Sequence, residues 1–414
     1  MTHTPPRDIL DAPDVAREIV SIYDLLLNRN PDAAEFHEGM LSLLSGIQRD
    51  EFFRQLAGTD EASERFLNNP NFGLLINRLL DSTGQRTGIQ RKPHIAWKAE
   101  HRPLCSDDPV SIMQIELTNE CPFRCVMCPR TKHMTRATGR MDFHLFRKII
   151  DELATIRPDY ARTQPPIWLH HFGESLIHPQ FGEFIRYAKS HGIPTAMSIN
   201  PLMLNERISA ELLDAEPQAL YLSLDGHDDA SFERIRGIPR AYEKSRQRLL
   251  RFLEHKVDLG VKTHMTLSVI DFVLNGDEGS SQRVKLENYW RAVPGVDEFL
   301  WKAYGTFSGE IARINELACP SEAVQIARRY KDVFRVTCDF PWRRMVVTWT
   351  GSVVPCCHDY DVKMPLGDLR TQSLEEIWNG EKMLALRQEL ISGEIANPVC
   401  RDCEHRYKNN PRDE

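Results

Sequence analysis

Six short apolar runs separated by helix-like stretches fill the middle of this 414-residue chain, and that alternation leaves few folds open to it. The runs are Ile112–Leu117, Ile167–Phe172, Thr195–Ile199, Ala219–Leu224, Lys262–Val269 and Phe299–Tyr304. Between them, Asp142–Leu153, Phe181–His191, Glu206–Leu213 and Ala241–Glu254 repeat their apolar residues with helical period. Strands that alternate with helices pair in parallel through right-handed crossovers, because only that hand packs the helix back onto the sheet. Six such units predict a parallel sheet curling toward a barrel, with functional side chains at the strands' carboxyl ends.

Directly after the first run, Glu120–Arg130 reads ECPFRCVMCPR and places Cys121, Cys125 and Cys128 in C-x3-C-x2-C spacing. Three close thiolates can hold three irons of a 4Fe–4S cube and leave the fourth open to a small chelating molecule. A structural zinc site wants four closed ligands instead. The spacing resembles that of the radical S-adenosylmethionine (SAM) superfamily. Further residues match that family in order. Gly173-Glu174 looks like the glycine–glutamate element that receives SAM's amino group, with Phe172 in place of the usual first glycine. Ser198 and Asn200 of SIN resemble the polar strand end that meets the ribose. SLDG at Ser223–Gly226, followed by FERIRG, resembles the next strand and helix. By position Ser223 and Arg236 contact SAM's ribose or carboxylate, and Asp225 is a contact or a brace for the loop. Pro201 stands where the family often has glycine, and Met127 replaces an aromatic residue, its thioether still able to pack on adenine.

A second cysteine group lies near the carboxyl end. Cys338, Gly351 and Cys356 form C-x12-G-x4-C, and Cys400 and Cys403 form C-x2-C. Four thiolates close a ligand set, which also suits a zinc ribbon. Together with VVPCCHD, GDLRTQSLEEIWNG and CRDC, the spacing resembles the SPASM/twitch extension of radical SAM enzymes and implies one auxiliary 4Fe–4S cluster. Cys357 reads as a neighbour, and Cys105 and Cys319 as buried thiols. Ser373 and Glu376 have capping-box spacing and predict a helix to about Leu390.

The resemblance implies an α/β fold: a partial (β/α)6 TIM-like barrel over 104–318, with an N-terminal helical domain over 1–100 and a small iron–sulfur domain over 319–414. In the N-terminal part, Val15, Ile19, Ile22 and Leu26 share one helix face and Phe36, Met40 and Leu43 another, separated at Asn30-Pro31. Its string YDLLLNRNPDAAEFHEGMLSLLSG looks like a helical module found beside bacterial glycan-modifying domains. Gly84–His101 reads as a linker.

Charge and composition narrow the partners. The 52 Lys and Arg against 59 Asp and Glu leave a formal charge of −7 with no long basic run, which argues against nucleic acid. There is no apolar stretch of membrane-spanning length. Ten cysteines without an export signal fit clusters in a reducing cytoplasm.

What the family implies is an oxidoreductase that splits SAM to a 5′-deoxyadenosyl radical, removes a hydrogen atom from a substrate carbon and passes the second electron to the auxiliary cluster. The leading expectation is oxidation of a secondary alcohol in a sugar or aminocyclitol, with flavodoxin or ferredoxin as external electron donor. Alternatives are a peptide-modifying maturase of the natural-product-peptide (RiPP) or sulfatase type, making a carbon–carbon or thioether link or a formylglycine; a radical epimerase or dehydratase; and a non-catalytic iron–sulfur or zinc-binding protein. Candidates for proton transfer and substrate contact are His171, His264, Lys302 and Tyr304.

Overall fold

In the computed structural model the described residues are 103–106, 108–270, 276–302, 338–401 and 403, with part of 15–56. Gly84–His101 and Cys319 lie outside the described residues, as does the boundary expected near 318. Within the N-terminal part, α1 (Ala33–Leu44) packs on a second helical segment, and Ile19, Ile22 and Met40 are buried between them.

The expected strands form in order: β1 (Ile112–Ile115), β2 (Ile167–Trp168), β3 (Thr195–Ile199), β4 (Ala219–Ser223), β5 (His264–Val269) and β6 (Glu298–Trp301). Each pairs in parallel with the one before it. Crossovers are α2 (Phe143–Ile156), α3 (Tyr160–Thr163), α4 (Phe181–Ser190), α5 (Glu206–Ala215), α6 (Asp229–Arg236), α7 (Tyr242–Leu259) and α8 (Gly276–Arg291). Asp142 caps α2 by accepting from the backbone N–H groups of His144 and Leu145.

The sheet does not stop at β1. On its other edge lies β7 (Met345–Val347), also parallel, followed by antiparallel β8 (Ser352–Val354) and β9 (Gly367–Asp368). The strand order is therefore β6-β5-β4-β3-β2-β1-β7-β8-β9. The carboxyl-terminal part completes with α9 (Phe340–Arg343), α10 (Leu374–Trp378) and α11 (Glu381–Ser392).

Alternation along the strands sorts the two faces. Ile167, Leu169, Met197, Ile199, Leu220, Leu222, Met265 and Leu267 join Phe146, Phe184, Leu212 and Phe252 of the helices in one apolar core. The opposite face carries Gln114, Trp168, Ser198, Tyr221, Ser223, Thr266 and Ser268. Trp168 and Tyr221 meet edge-on there, their ring centroids 4.8 Å apart.

Two expectations need correction. The helix predicted from Ser373 to Leu390 breaks at Asn379-Gly380. Gly380 closes against the first helix so tightly that a Cβ would stand 2.5 Å from Glu376 O. Asn379 turns its amide to Ser106 and to the buried guanidinium of Arg387, tying the break to the segment before β1. Cys105 is exposed rather than buried.

Candidate active site

The cysteine loop leaves the carboxyl end of β1 and is shaped by its own basic side chain. Arg130 Nη2 donates to Cys121 O and Phe123 O, both at 2.8 Å, and Thr131 Oγ1 donates to Cys125 O at 2.9 Å. The loop then pairs with the end of α6: Arg124 N donates to Arg236 O and Val126 N to Ile235 O, each at 3.0 Å. That places Arg236 Nη1 3.3 Å from Cys125 Sγ, while Nη2 pairs with Asp225 Oδ2 at 2.5 Å. Asp225 also accepts from Ile270 N at 2.8 Å. So the Asp225 carboxylate braces the loop and aims a guanidinium at the thiols. Burial pushes the Cys121 thiol up to about 12 and the Cys128 thiol to about 11. Ligating thiolates there need positive charge beside them, which irons bring. Met127 is half-buried on this loop.

Gly173-Glu174 docks on the same loop. Gly173 has φ +106°, and a Cβ would stand 2.3 Å from Thr118 O, so only glycine fits. Glu174 N donates to Glu120 O at 2.9 Å. The buried Glu174 carboxylate accepts from Asn200 N at 3.0 Å and from Leu176 N at 3.2 Å. Burial raises it to about 7. Beside it, Asn200 Nδ2 and Arg236 Nε are buried donors without a hydrogen-bond partner. Ser198, Ser223 and Ser268 follow as a row of hydroxyls, with Oγ separations of 3.5 and 3.3 Å. An acidic group, unsatisfied donors and hydroxyls beside three thiols suit the amino, carboxylate and ribose parts of SAM.

The second thiol group is drawn from three segments: Cys338 before β7, Cys356 after β8, and Cys400 with Cys403 beyond α11. Cys356 is half-buried with Cys357, Cys403, Cys400 and Cys338 as neighbours, and desolvation first, then those thiols, raise it well above its ordinary range. Burial likewise lifts Cys338 to about 12. Among the described residues no three such side chains close on a single metal ion; a four-iron cube is held by thiols spread around its corners. Donor chemistry and grouping therefore fit a cluster.

Family comparisons decide the matter. Residues 115–277 match the radical SAM superfamily, and residues 338–404 match SPASM, an iron–sulfur cluster-binding domain. The chain is a radical SAM enzyme with a SPASM domain. Its cofactors are accordingly SAM and a 4Fe–4S cluster, with further iron–sulfur binding in the SPASM domain. Among its relatives is a tungsten-containing aldehyde ferredoxin oxidoreductase cofactor-modifying protein of Pyrococcus furiosus, 24% identical over 71% of this chain and 87% of that one. Another is the S-adenosyl-L-methionine-dependent 2-deoxy-scyllo-inosamine dehydrogenase of Niallia circulans, 22% identical over 71% of this chain and 93% of that one. Of the solved structures, Streptococcus suis SuiB bound to S-adenosylmethionine covers 82% of this chain and 83% of its own, at 14% identity and a TM-score of 0.49. No helix of the described residues is long and apolar enough to cross a membrane.

Within this radical SAM enzyme the four residues singled out for proton transfer and substrate contact fall in different places. Lys302 directly follows β6, with its backbone N–H on Val269 O at 2.9 Å. Its side chain is exposed yet ringed by enough protein to be desolvated, which lowers its ammonium pKa. His171 instead closes against the SPASM domain, with Nε2 3.1 Å from Cys357 O. His264 opens β5 at the strand's amino end, exposed, 3.6 Å from Glu298. Tyr304 lies outside the described residues. By strand alternation only one of His170 and His171 can face inward, and sequence reasoning carried His171 forward; it is His170 that shares the inner face with Trp168, their rings 5.3 Å apart. Its Nδ1 accepts from Ser198 N at 3.1 Å, so the proton of the neutral ring sits on Nε2. Two-residue alternation from Trp168 was the available signal.

Proposed function

We propose that this enzyme oxidises a secondary alcohol of a sugar- or aminocyclitol-like molecule to a carbonyl. The observation that carries the reading is the SPASM thiol group, where Cys338, Cys356, Cys400 and Cys403 can occupy all four iron positions of one cluster and leave electron transfer as its role. The dehydrogenase relative from Niallia circulans, matched over most of both chains, supports it. Bound SAM and its cluster supply the hydrogen-abstracting radical, and the SPASM cluster supplies the acceptor for the second electron. Cys121, Cys125 and Cys128 ligate the first cluster. Glu174 and Asn200 take SAM's amino end, Ser198 and Ser223 its ribose, and Met127 packs on the adenine. Arg236, braced by Asp225, faces the cluster thiols. Lys302 takes the hydroxyl proton, since desolvation favours its neutral amine. An external one-electron donor such as flavodoxin or ferredoxin reduces the first site.

Anaerobic reconstitution is expected to yield about eight irons per chain and about one SAM consumed per oxidised product. Lys302→Met should keep 5′-deoxyadenosine formation and lose product. Saturation at about four irons would remove the auxiliary cluster. Solvent deuterium entering recovered substrate without oxidised product would point to epimerisation instead.

A further inference from the structure

The loop that follows the first cysteine motif is tied to the loop that follows Cys356 through a buried ion pair and its neighbours. Glu116, just past β1, is fully buried. Its carboxylate accepts from both terminal nitrogens of Arg136, with Nη1 at 2.6 Å, and from Phe172 N and Trp349 N, each at 3.2 Å. Arg136 turns its Nε to Tyr360 O at 2.7 Å. Asp361 completes the join by accepting from Thr135 N and Thr135 Oγ1 at 2.7 Å and from Arg136 N at 3.0 Å. Gly139 of the same loop lies against the Trp349 ring, where a Cβ would come within 2.5 Å.

The chemistry singles out arginine. A planar fork of donors lets one side chain hold a carboxylate bidentately and still reach a carbonyl on another segment, which a lysine cannot do. The partners come from the end of β1, the approach to Gly173-Glu174, the turn after β7 and the loop beyond Cys356. Segments beside both thiol groups therefore meet around one buried carboxylate, the loop beyond Cys356 through Arg136.

We propose that the Glu116–Arg136–Asp361 clasp holds the SPASM thiol group at a fixed distance from the first cysteine loop, with Arg136 and Asp361 as positioning residues for passage of the substrate electron. The inference rests on the dehydrogenase reading, in which that electron leaves the substrate carbon and reduces the SPASM cluster by one. One-electron passage falls steeply with separation, so a loosened clasp uncouples SAM cleavage from product.

Glu116→Gln risks leaving the chain unfolded, so the test uses Arg136→Lys and Asp361→Asn in the reconstituted full-length enzyme. Iron content is expected to match the parent. Amide exchange in residues 131–141 and 357–365 should rise together by about tenfold or more. The 5′-deoxyadenosine formed per oxidised product should rise, since extra separation weakens electron passage while SAM cleavage continues. Exchange that rises only beside the substituted residue, or a product ratio that stays at the parent's value, would overturn the clasp. Absence of oxidised product from the parent enzyme would count against the dehydrogenase reading alone, and the exchange result then decides the clasp by itself.

Discussion

His170 and His171 are adjacent in the chain, yet the sheet hands them to different tasks. His170 faces the interior, and burial first, then Lys302 and His171, hold its pKa down at about 3. Burial also dominates at His171, which sits at about 4 despite the opposing pull of Glu116. Both are neutral in the folded enzyme, while in the unfolded chain they titrate near 6.5. Below that value the unfolded chain takes up protons that the folded rings refuse. Stability is therefore full above about pH 6.5 and falls as the pH drops toward 4, by at most about 1.4 kcal/mol per unit for each ring. The urea midpoint should be lower at pH 5 than at pH 7.5, and His170→Asn should remove part of that difference while keeping an acceptor for Ser198 N. An equal pH dependence in the variant would sink this account. Much at this scale was legible in sequence. Gly173 stood out because close backbone approach is a demand few residues meet. The choice between His170 and His171 fell on the wrong one because alternation gives a phase only once the strand's end is known, and β2 ends at Trp168.

Helix ends explain how single residues are delivered to the site. α6 carries Arg236 to Cys125, and its start is fixed by a capping box in which Asp228 accepts from Ser231 N at 2.7 Å. Gly237 at its end has φ +71°, and Arg124 fills the space a Cβ would need. Asp228→Ala should cost about 1 kcal/mol of stability and speed iron release to a chelator, whereas Asp228→Asn should do neither. Unchanged release from the alanine variant would mean that α6 is held by packing alone. The cap at Ser373 with Glu376 was readable from its spacing. The break at Gly380 was not, because a single glycine is tolerated inside many helices and only tertiary docking of Asn379 decides the matter.

At the scale of the whole molecule, the SPASM hairpin is an extension of the barrel sheet. β7 covers the edge of β1, and its Met345, Val346 and Val347 are fully buried there. Residues 103–302 expressed alone should therefore expose an apolar edge and aggregate or bind a hydrophobic dye. A soluble monomer with native circular dichroism would show that the covering is dispensable. Sequence could not reveal this continuity, since pairing between distant segments leaves no local pattern. It could reveal the two thiol groups, because cluster ligation imposes its spacing on neighbours in the chain.

The position of β1 also has a consequence for synthesis. Its partner β7 emerges from the ribosome more than two hundred residues later. At roughly 5–20 residues per second, one edge of β1 waits about ten to fifty seconds for its neighbour. The first cysteine loop, rooted at that strand, is thus built long before the strand beside it exists, so early iron delivery would meet a half-made cradle.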